Sequence, residues 1–314
     1  MSSITCAGQK VKKKIRAKEI KMILQSAIEE FLIEQQVRGN TPKTVLYYKQ
    51  SLGFFTAYTG QMDLDAVTLS LCKRYYIHLT QTGIASTTTQ TYIRALRAFL
   101  TWAFNEDYIA ENIPARFKLP KAQRKTIDVL TDDEVRRLFD CFDTRATIGA
   151  RNYAICALML DSGLRLNEVV TLEGGNVHVA EGYAIVNGKG NKQRMVPLGL
   201  YSKKALIRYM GRVPQCSGKT LFVQKDTLIP LRQSTVKQLF RKLKTKAAIP
   251  RLRPHLLRHS FATRYLAAGG DIYSLQQILG HTSLEMVKRY VHLIPQQTIV
   301  CFPRFSPLDN LLKK

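Results

Sequence analysis

Acidic side chains are scarce in this chain, and their scarcity is the first guide to its function. The 314 residues include 23 Asp and Glu against 48 Lys and Arg, which gives a formal net charge of +25. Residues 1–127 carry 19 basic and 9 acidic side chains, and the remaining residues carry 29 and 14. A metal-dependent nuclease, which needs carboxylate ligands, is therefore disfavoured. Because both halves are basic, nucleic acid is the expected partner, with general surface basicity as the alternative.

Paired cysteines and long apolar runs are also missing. The six cysteines are scattered along the chain, at Cys6, Cys72, Cys141, Cys156, Cys216 and Cys301. Without a CxxC pair the sequence predicts neither a zinc site nor a disulfide framework, and reduced thiols fit a cytoplasmic protein. No uncharged apolar run approaches the length that spans a membrane. The basic opening, 1–17, has no apolar segment behind it, so it is predicted to be a flexible arm that either lies on DNA or is disordered.

Helical periodicity dominates residues 18–112. Apolar side chains recur at helical spacing in the first of four predicted helices, and Thr41-Pro42 is a helix start with proline at the first helical position. The sequence thus predicts a compact helical module whose charged faces contact either DNA or solvent. The segment 113–127 contains prolines and basic residues and no acid, and is predicted to be a linker.

Residues 128–295 are predicted to form a second domain that is mainly helical with a small β-sheet. Thr131 and Glu134 have the spacing of a capping box. Short strands are expected over 183–186 and 195–198, joined by turn-forming residues 187–191. Helices are expected after Pro254 and Asp271, and a further capping box precedes the helix that carries Tyr290. The predicted fold class is α+β, mainly α.

Side chains suited to phosphate chemistry recur in this second domain. Arg165 and Arg258 could hold one phosphate between two guanidinium forks and stabilise a pentacoordinate transition state. Tyr290 could be the nucleophile, but a phenol with a pKa near 10 needs a base or a strongly cationic pocket. Lys189, in the predicted hairpin turn, could protonate a departing 5′ oxygen.

Histidines could handle the proton of such a reaction, because they titrate near neutral pH. His255 lies three residues before Arg258 and therefore on the same helix face, and His281 follows a helix end. His255 and His259 could also mimic a zinc pair. The stretch HLLRH lacks the glutamate of the HExxH pattern and has no nearby carboxylate ligand, so no metal and no cofactor is predicted.

The stretches SGLRLNEV, NGKGNKQRMVPL and HLLRHSFATRYLAAGGDIYSLQQILGH, followed by Tyr290, resemble the motifs of the tyrosine recombinase (phage integrase) family, in that family's order. The resemblance extends over nearly the whole chain, although residues 18–112 are less specific. It implies a helical core-binding domain and a catalytic domain that together form a C-shaped clamp on DNA. It also implies a compact Xer-like layout, since only a short basic segment precedes the helical module.

The resemblance also assigns roles to six residues. Tyr290 would attack the scissile phosphate and form a 3′-phosphotyrosyl link, and Lys189 would be the general acid. Arg165 and Arg258 would hold the phosphate, and His281 would support it in the transition state. His255 would be the proton-handling residue near the nucleophile.

The biological setting stays open at this point. The resemblance implies paired inverted half-sites in double-stranded DNA and a tetramer on two duplexes, serving dimer resolution or the integration and excision of a mobile element. A type IB topoisomerase and a non-catalytic DNA-binding regulator are the alternatives. The tail, 296–314, is predicted to connect subunits, or else to fold back on its own domain.

Overall fold

The structure is a computed structural model that describes residues 22–117, 127–188, 192–213, 220–224, 229–281 and 283–291. Within these residues the chain divides into two compact units, on either side of residue 124. The predicted arm (1–17) and tail (296–314) lie outside the described residues, as does most of the predicted linker. No helix in the described part combines the length and the apolar character needed to cross a membrane.

The first unit is helical, as predicted. Its helices are α1 Leu24–Val37, α2 Pro42–Thr59, α3 Leu69–Gln81, α4 Ser86–Asn105 and α5 Ile113–Arg116. The Thr41 side chain accepts a hydrogen bond from the backbone of Thr44 and caps α2, with Pro42 in its first turn. The core of the unit is aromatic and aliphatic; for example, Phe31 packs edge-on against Phe99 with ring centroids 5.7 Å apart.

The structure differs from the predicted linker at its start. Residues 113–116 form α5, which Asn112 caps by accepting from Ala115 N, and the buried Ile113 and Phe117 belong to the core of the first unit. Proline does not prevent this short helix because Pro114 lies in its first turn, where no backbone donor is needed.

The second unit is mainly helical with one small sheet. Its helices are α6 Asp132–Asp140, α7 Thr147–Asp161, α8 Leu166–Val170, α9 Leu200–Met210, α10 Gln233–Lys246, α11 Pro254–Ala267, α12 Ile272–Leu279 and α13 Glu285–Val291. The α7 helix is apolar around most of its circumference and packs against α9 and α11 in the middle of the core, as expected of a fully buried helix. The capping box of Thr131 and Glu134 is present at the start of α6.

The sheet is antiparallel with strand order β1-β2-β3, and its strands are β1 Val177–His178, β2 Tyr183–Asn187 and β3 Gln193–Pro197. The hairpin was predicted; the two-residue β1 was not, because so short a strand has no periodicity to detect. Since Asn187 pairs with Gln193, the connection lies over residues 188–192. Strand β3 packs against α12, which brings the sheet next to the predicted site.

A separate apolar cluster fixes the last helix of the described chain. Phe261 and Ala262 of α11, Leu275 and Leu279 of α12, and Val287 and Tyr290 of α13 are buried together. The α13 helix is therefore held against α11 and α12 by side-chain packing. This packing determines where Tyr290 lies.

Candidate active site

Arg258 lies at the centre of a polar cluster that α8, α11, α12 and β3 build together. Its side chain is buried, with the residue 4% exposed. Its Nη1 donates to the carbonyl oxygen of Gly163 (2.6 Å) and its Nη2 to that of Leu279 (2.7 Å). Burial, and then the charge of Arg165, lowers the pKa of Arg258 to about 9, which leaves the guanidinium cationic at neutral pH.

The backbone at Gly163 is what allows this contact. Gly163 follows the end of α7 with φ +65°, and a Cβ at this position would collide with the ring of Phe261. Both the left-handed backbone and the close approach require glycine. The turn directs the Gly163 carbonyl to Arg258 and leads the chain into Arg165.

Arg165 precedes α8 and is the most open cation of the cluster. Its side chain is 32% exposed, its Nη1 donates to Glu168 Oε1 (2.8 Å), and its Nη2 is 3.5 Å from the carbonyl oxygen of Gly280. Arg165 and Arg258, predicted to act together, are both anchored to the α12 terminus, the former through Gly280 and the latter through Leu279.

Glu168 is the buried carboxylate that organises these arginines. It receives two hydrogen bonds from Arg194 of β3, Nη1 to Oε1 and Nη2 to Oε2, each 2.8 Å long. Burial alone would raise the pKa of Glu168, but the hydrogen bonds and charge of Arg194, with the hydrogen bonds of Arg165, lower that pKa to about 2. Glu168 is therefore an anion, and a surplus of positive charge remains around it.

His281 completes the cluster beyond the end of α12. Gly280 ends this helix in the left-handed conformation, and His281 Nε2 lies 3.1 Å from Arg258 Nη2. Because a guanidinium can only donate, Nε2 must accept, and the hydrogen of the neutral ring is then on Nδ1. Burial, with the charges of Arg258 and Arg165, lowers the pKa of His281 to about 4. Its Nδ1 is buried and has no hydrogen-bond partner among the described residues.

Tyr290 is buried beside this cluster, with 3% of its surface exposed. Its hydroxyl lies 2.8 Å from Nδ1 of His259, a histidine of α11. Burial raises the pKa of Tyr290, and the positive charges of Arg258, Arg289 and Arg165 only partly offset that effect. The phenol is therefore protonated at neutral pH.

Two predicted site residues remain, His255 and Lys189, and the structure describes only the first of them. His255 lies on α11 with its ring centroid 6.5 Å from that of His259, and burial together with Arg258 and Arg165 lowers the pKa of His255. The histidine that hydrogen-bonds to the tyrosine is thus His259, one helical turn beyond the residue predicted to be near it. Lys189 lies outside the described residues, so its role stays a prediction. No cluster of three or more potential metal ligands occurs in the described part of the chain.

The sequence analysis missed Glu168 and Arg194, and it named His259 only as a possible zinc ligand, without its contact to Tyr290. Each lies inside a stretch that was singled out: Glu168 in SGLRLNEVV, Arg194 in NGKGNKQRMVPL and His259 in HLLRHSF. Glu168 lies three residues after Arg165, which could have indicated the ion pair. Nothing in the sequence pairs Arg194 with Glu168, since they are far apart along the chain.

The cluster as a whole is suited to an anion with several oxygens. Two guanidinium groups and the unpartnered Nδ1–H of His281 provide donors, and water is largely excluded around Arg258. Donors fixed before the reaction, in a site of low dielectric constant, stabilise developing negative charge most strongly. The buried phenol next to them is a potential nucleophile.

Comparison with known protein families agrees with this geometry. Residues 128–297 match the model of the phage integrase family, and residues 24–119 match that of the phage integrase SAM-like domain. Together they cover both structural units.

Similar proteins are site-specific recombinases. Tyrosine recombinase XerD of Staphylococcus aureus (strain N315) is 30% identical over 294 residues, which cover 90% of this chain and 99% of the relative. Tyrosine recombinase XerC of Pelotomaculum thermopropionicum is 29% identical over 298 residues, covering 89% and 97%. The fold resembles that of the XerH site-specific recombinase bound to palindromic difH substrate in a post-cleavage complex, with a TM-score of 0.71, 20% identity and coverage of 89% and 84%. The chain therefore belongs to the phage integrase family and is a site-specific tyrosine recombinase.

Proposed function

We propose that this recombinase cleaves and rejoins double-stranded DNA through a 3′-phosphotyrosyl intermediate on Tyr290. The observation that carries the proposal is the convergence of Arg165, Arg258 and His281 beside a buried tyrosine, each from a different part of the second unit. The charge of Arg258, Arg289 and Arg165 at Tyr290 acts to lower the pKa of that residue, so the arginines lie close enough to influence the nucleophile.

In this proposal Arg165 and Arg258 hold the non-bridging oxygens of the scissile phosphate. Arg258 is fixed by two backbone carbonyls, so its charge is oriented before DNA arrives. Arg165 is more exposed and can exchange its weak contact with Gly280, at 3.5 Å, for a phosphate oxygen. The Nδ1–H of His281 donates a further hydrogen bond to the phosphate, which satisfies a buried donor that is otherwise costly to leave unpaired.

The chemistry balances without an external energy source. The Tyr290 oxygen bonds to phosphorus while its proton passes to a histidine of the site, the role expected of His255. The bond to the 5′ oxygen breaks, with Lys189 supplying the proton of the leaving group. The freed 5′ hydroxyl of a partner duplex then attacks the phosphotyrosine and returns its proton to Lys189, and the tyrosine is released with the proton from the histidine. Lys189 belongs to the connection between β2 and β3, and β3 carries Arg194 into the cluster, which supports a place for Lys189 near the phosphate.

Assembly and biological role are a second part of the proposal. We infer that the protein binds paired inverted half-sites as a tetramer on two duplexes, and that the two units form a clamp on DNA. The role is either dimer resolution or the integration and excision of a mobile element.

Strand exchange separates this function from relaxation of supercoils by a type IB topoisomerase. Target duplexes would be selected from random DNA by binding to the Tyr290→Phe protein, which should bind but not cleave. With plasmids carrying one or two selected sites, we expect crossed products only from two sites. Relaxation of either plasmid without crossed products would contradict recombination and support the topoisomerase.

A further inference from the structure

Arg194 of β3 enters the cluster from the sheet. It shares the inner side of the strand with the buried Val196, because alternate residues of a strand lie on the same face. Its side chain is only 12% exposed. A charged group in such a position needs buried partners, since an unpaired charge is costly to remove from water. The partners of Arg194 are a carboxylate and the end of a helix.

Arg194 and Arg165 together occupy the Glu168 carboxylate. Its Oε1 accepts from Nη1 of Arg194 and Nη1 of Arg165, each at 2.8 Å. Its Oε2 accepts from Nη2 of Arg194 at 2.8 Å and from the backbone N–H of Arg165 at 2.7 Å. An ionised carboxylate has about four sites for donors. The four hydrogen bonds therefore saturate Glu168, and Arg194 supplies two of them.

Arg258 lies next to this carboxylate without a hydrogen bond to it. Its Nη1 is 3.9 Å from Oε2 of Glu168 and donates instead to the carbonyl oxygen of Gly163. Without Arg194, two acceptor sites on a buried anion would be empty, which is costly. Arg258 would then be drawn toward Glu168 and out of its present orientation.

Arg194 also sets the net charge of the cluster. Three guanidinium groups, those of Arg165, Arg194 and Arg258, surround the single Glu168 carboxylate and leave two positive charges. Two guanidinium groups around the same carboxylate would leave one. Because water is largely excluded here, the loss of one charge would strongly weaken the attraction for an anion.

The end of α12 holds the Arg194 side chain in place. Its Nε donates to the carbonyl oxygen of Ile278 at 2.7 Å. A Cβ at Gly280 would come within 2.9 Å of its Cδ, so the glycine leaves room for the arginine. The next two carbonyl groups of the helix end accept from the other two arginines. These carbonyl groups have no partners within the helix, and the arginines supply them.

All three nitrogen atoms of the Arg194 guanidinium donate to protein groups, so this arginine is committed to the protein and not to a ligand. On these contacts, and on the proposed function of Arg165 and Arg258, we propose that Arg194 is a positioning residue for DNA cleavage. It saturates Glu168 and thereby keeps Arg165 and Arg258, with their charge, for the scissile phosphate.

The first test compares one variant on two substrates. Arg194→Met nearly keeps the length of the side chain and removes its charge and donors. Single-turnover formation of the covalent adduct would be followed on a selected suicide duplex, which traps the adduct, with either a phosphate or an uncharged methylphosphonate at the scissile position. The matched control is Arg251→Met, because Arg251 holds Glu134 with the same two-pronged contact, at 2.5 and 2.7 Å. Folding and DNA binding would be checked for each protein.

We expect Arg194→Met to slow cleavage at the phosphate by ~10–100-fold, the range known for groups that orient the ligands of a metal site. The same variant should slow cleavage at the methylphosphonate by less than about three-fold, because an uncharged group depends little on a nearby charge. Arg251→Met should lower the melting temperature and leave the ratio of the two rates as in the wild type. Equal slowing on both substrates, or no slowing at the phosphate, would overturn the proposal.

A second pair of variants shows whether Arg194 acts through Glu168, and it also covers an Arg194→Met protein that does not fold. In Arg194→Met/Glu168→Gln no buried charge is left without its partner. We expect its cleavage rate to lie within about three-fold of that of Glu168→Gln, since two residues that act as a unit are not additive. A further slowing of ~10-fold or more would mean that Arg194 contacts the phosphate itself or only supports α12, and would overturn the proposal. Adducts formed by Tyr290→Phe would instead refute the proposed function.

Discussion

At the scale of single residues, the balance between one anion and several cations defines the site. Glu168 neutralises part of the charge of Arg165 and Arg194, but Arg258 is 3.9 Å from that carboxylate at its nearest and makes its hydrogen bonds to carbonyl groups and to His281. Positive charge is therefore left for a ligand. Of the two arginines proposed to bind phosphate, Arg165 is held by the Glu168 carboxylate, and Arg258 is held by two backbone carbonyl groups.

Removal of either phosphate-binding arginine should lower the rate of DNA cleavage more than the affinity for DNA. We expect Arg165→Ala and Arg258→Ala each to slow adduct formation by at least ~10²-fold, as on loss of one preorganised transition-state donor. Arg258→Ala should also lower the melting temperature, because the carbonyls of Gly163 and Leu279 lose their donor. Arg165→Ala should lower the melting temperature less, because the Arg165 side chain is 32% exposed and Glu168 keeps both hydrogen bonds from Arg194.

The prediction is checked by comparing the cleavage rates and melting temperatures of the two arginine variants. Single-turnover cleavage and thermal unfolding would be measured on both variants. Near-normal cleavage in either one would show that this arginine does not hold the phosphate.

The buried histidines should make stability depend on pH below neutrality. The pKa values of His259 and His281 are both lowered to about 4 in the folded protein, against about 6.5 in an unfolded chain. Between these values the unfolded state binds more protons, so acid favours unfolding. The two neutral histidines therefore make their full contribution to the free energy of unfolding above about pH 6.5, and this contribution is lost as the pH falls toward 4.

The measurement is the midpoint of thermal unfolding of the DNA-free protein as a function of pH. The double variant His259→Asn/His281→Asn should lose less stability than the wild type between about pH 6.5 and 4, the window set by the two pKa values. Parallel curves for the two proteins would show that these rings are not held neutral.

At the scale of elements, the turn between α7 and α8 links the core to the site. The α7 helix ends near Ser162, and Gly163 then turns the chain with a positive φ so that its carbonyl oxygen meets Arg258. The same turn leads into Arg165 at the start of α8. A single backbone conformation thus positions one arginine directly and the other through the helix that follows.

Gly163→Ala should therefore disturb both folding and chemistry. A left-handed alanine costs about 1–2 kcal/mol, and the added methyl group would also collide with Phe261, so we expect a larger total loss and slower cleavage. Gly175→Ala is the matched control, because a Cβ there meets nothing within 4 Å and its φ is not positive. Chemical unfolding gives the free energy of unfolding of both variants, and single-turnover cleavage gives their rates. Equally small losses of stability in the two variants would show that the turn adapts to a side chain.

The sequence predicted the elements of the site better than its contacts. Thr131, Thr41 and Asp271 cap their helices as expected, because capping depends on neighbouring residues alone. The stretches that contain Arg165, Arg258, His281 and Tyr290 were identified through resemblance to a family. The pairing of Arg194 with Glu168, and of His259 with Tyr290, depends on how β3 and α13 pack, and helical spacing within one segment cannot predict it.

At the scale of the whole molecule, basic charge is distributed over both units, as a protein that contacts DNA with both would require. The first unit holds an aromatic core of its own, and the second holds the site. The two family models match these two units separately, over residues 24–119 and 128–297.

The tail should matter for assembly rather than for binding to one half-site. Residues 302–314 include Leu308, Leu311 and Leu312, whose burial against a neighbouring subunit would favour association, at about 25 cal/mol per Å² of apolar surface. We expect deletion of residues 302–314 to leave half-site affinity nearly intact and to weaken cooperative filling of paired half-sites. Gel-shift titrations test this; unchanged cooperativity would mean that the tail does not connect subunits.

The most direct test of the account is to identify the residue that becomes linked to DNA. A selected suicide duplex would be cleaved, the covalent adduct digested with protease, and the nucleotide-bearing peptide sequenced by mass spectrometry. We expect the peptide that contains Tyr290, with the nucleotide on the phenolic oxygen at a 3′ phosphate, and no adduct from Tyr290→Phe. An adduct on any other residue, or the same yield of adduct from Tyr290→Phe, would contradict the account.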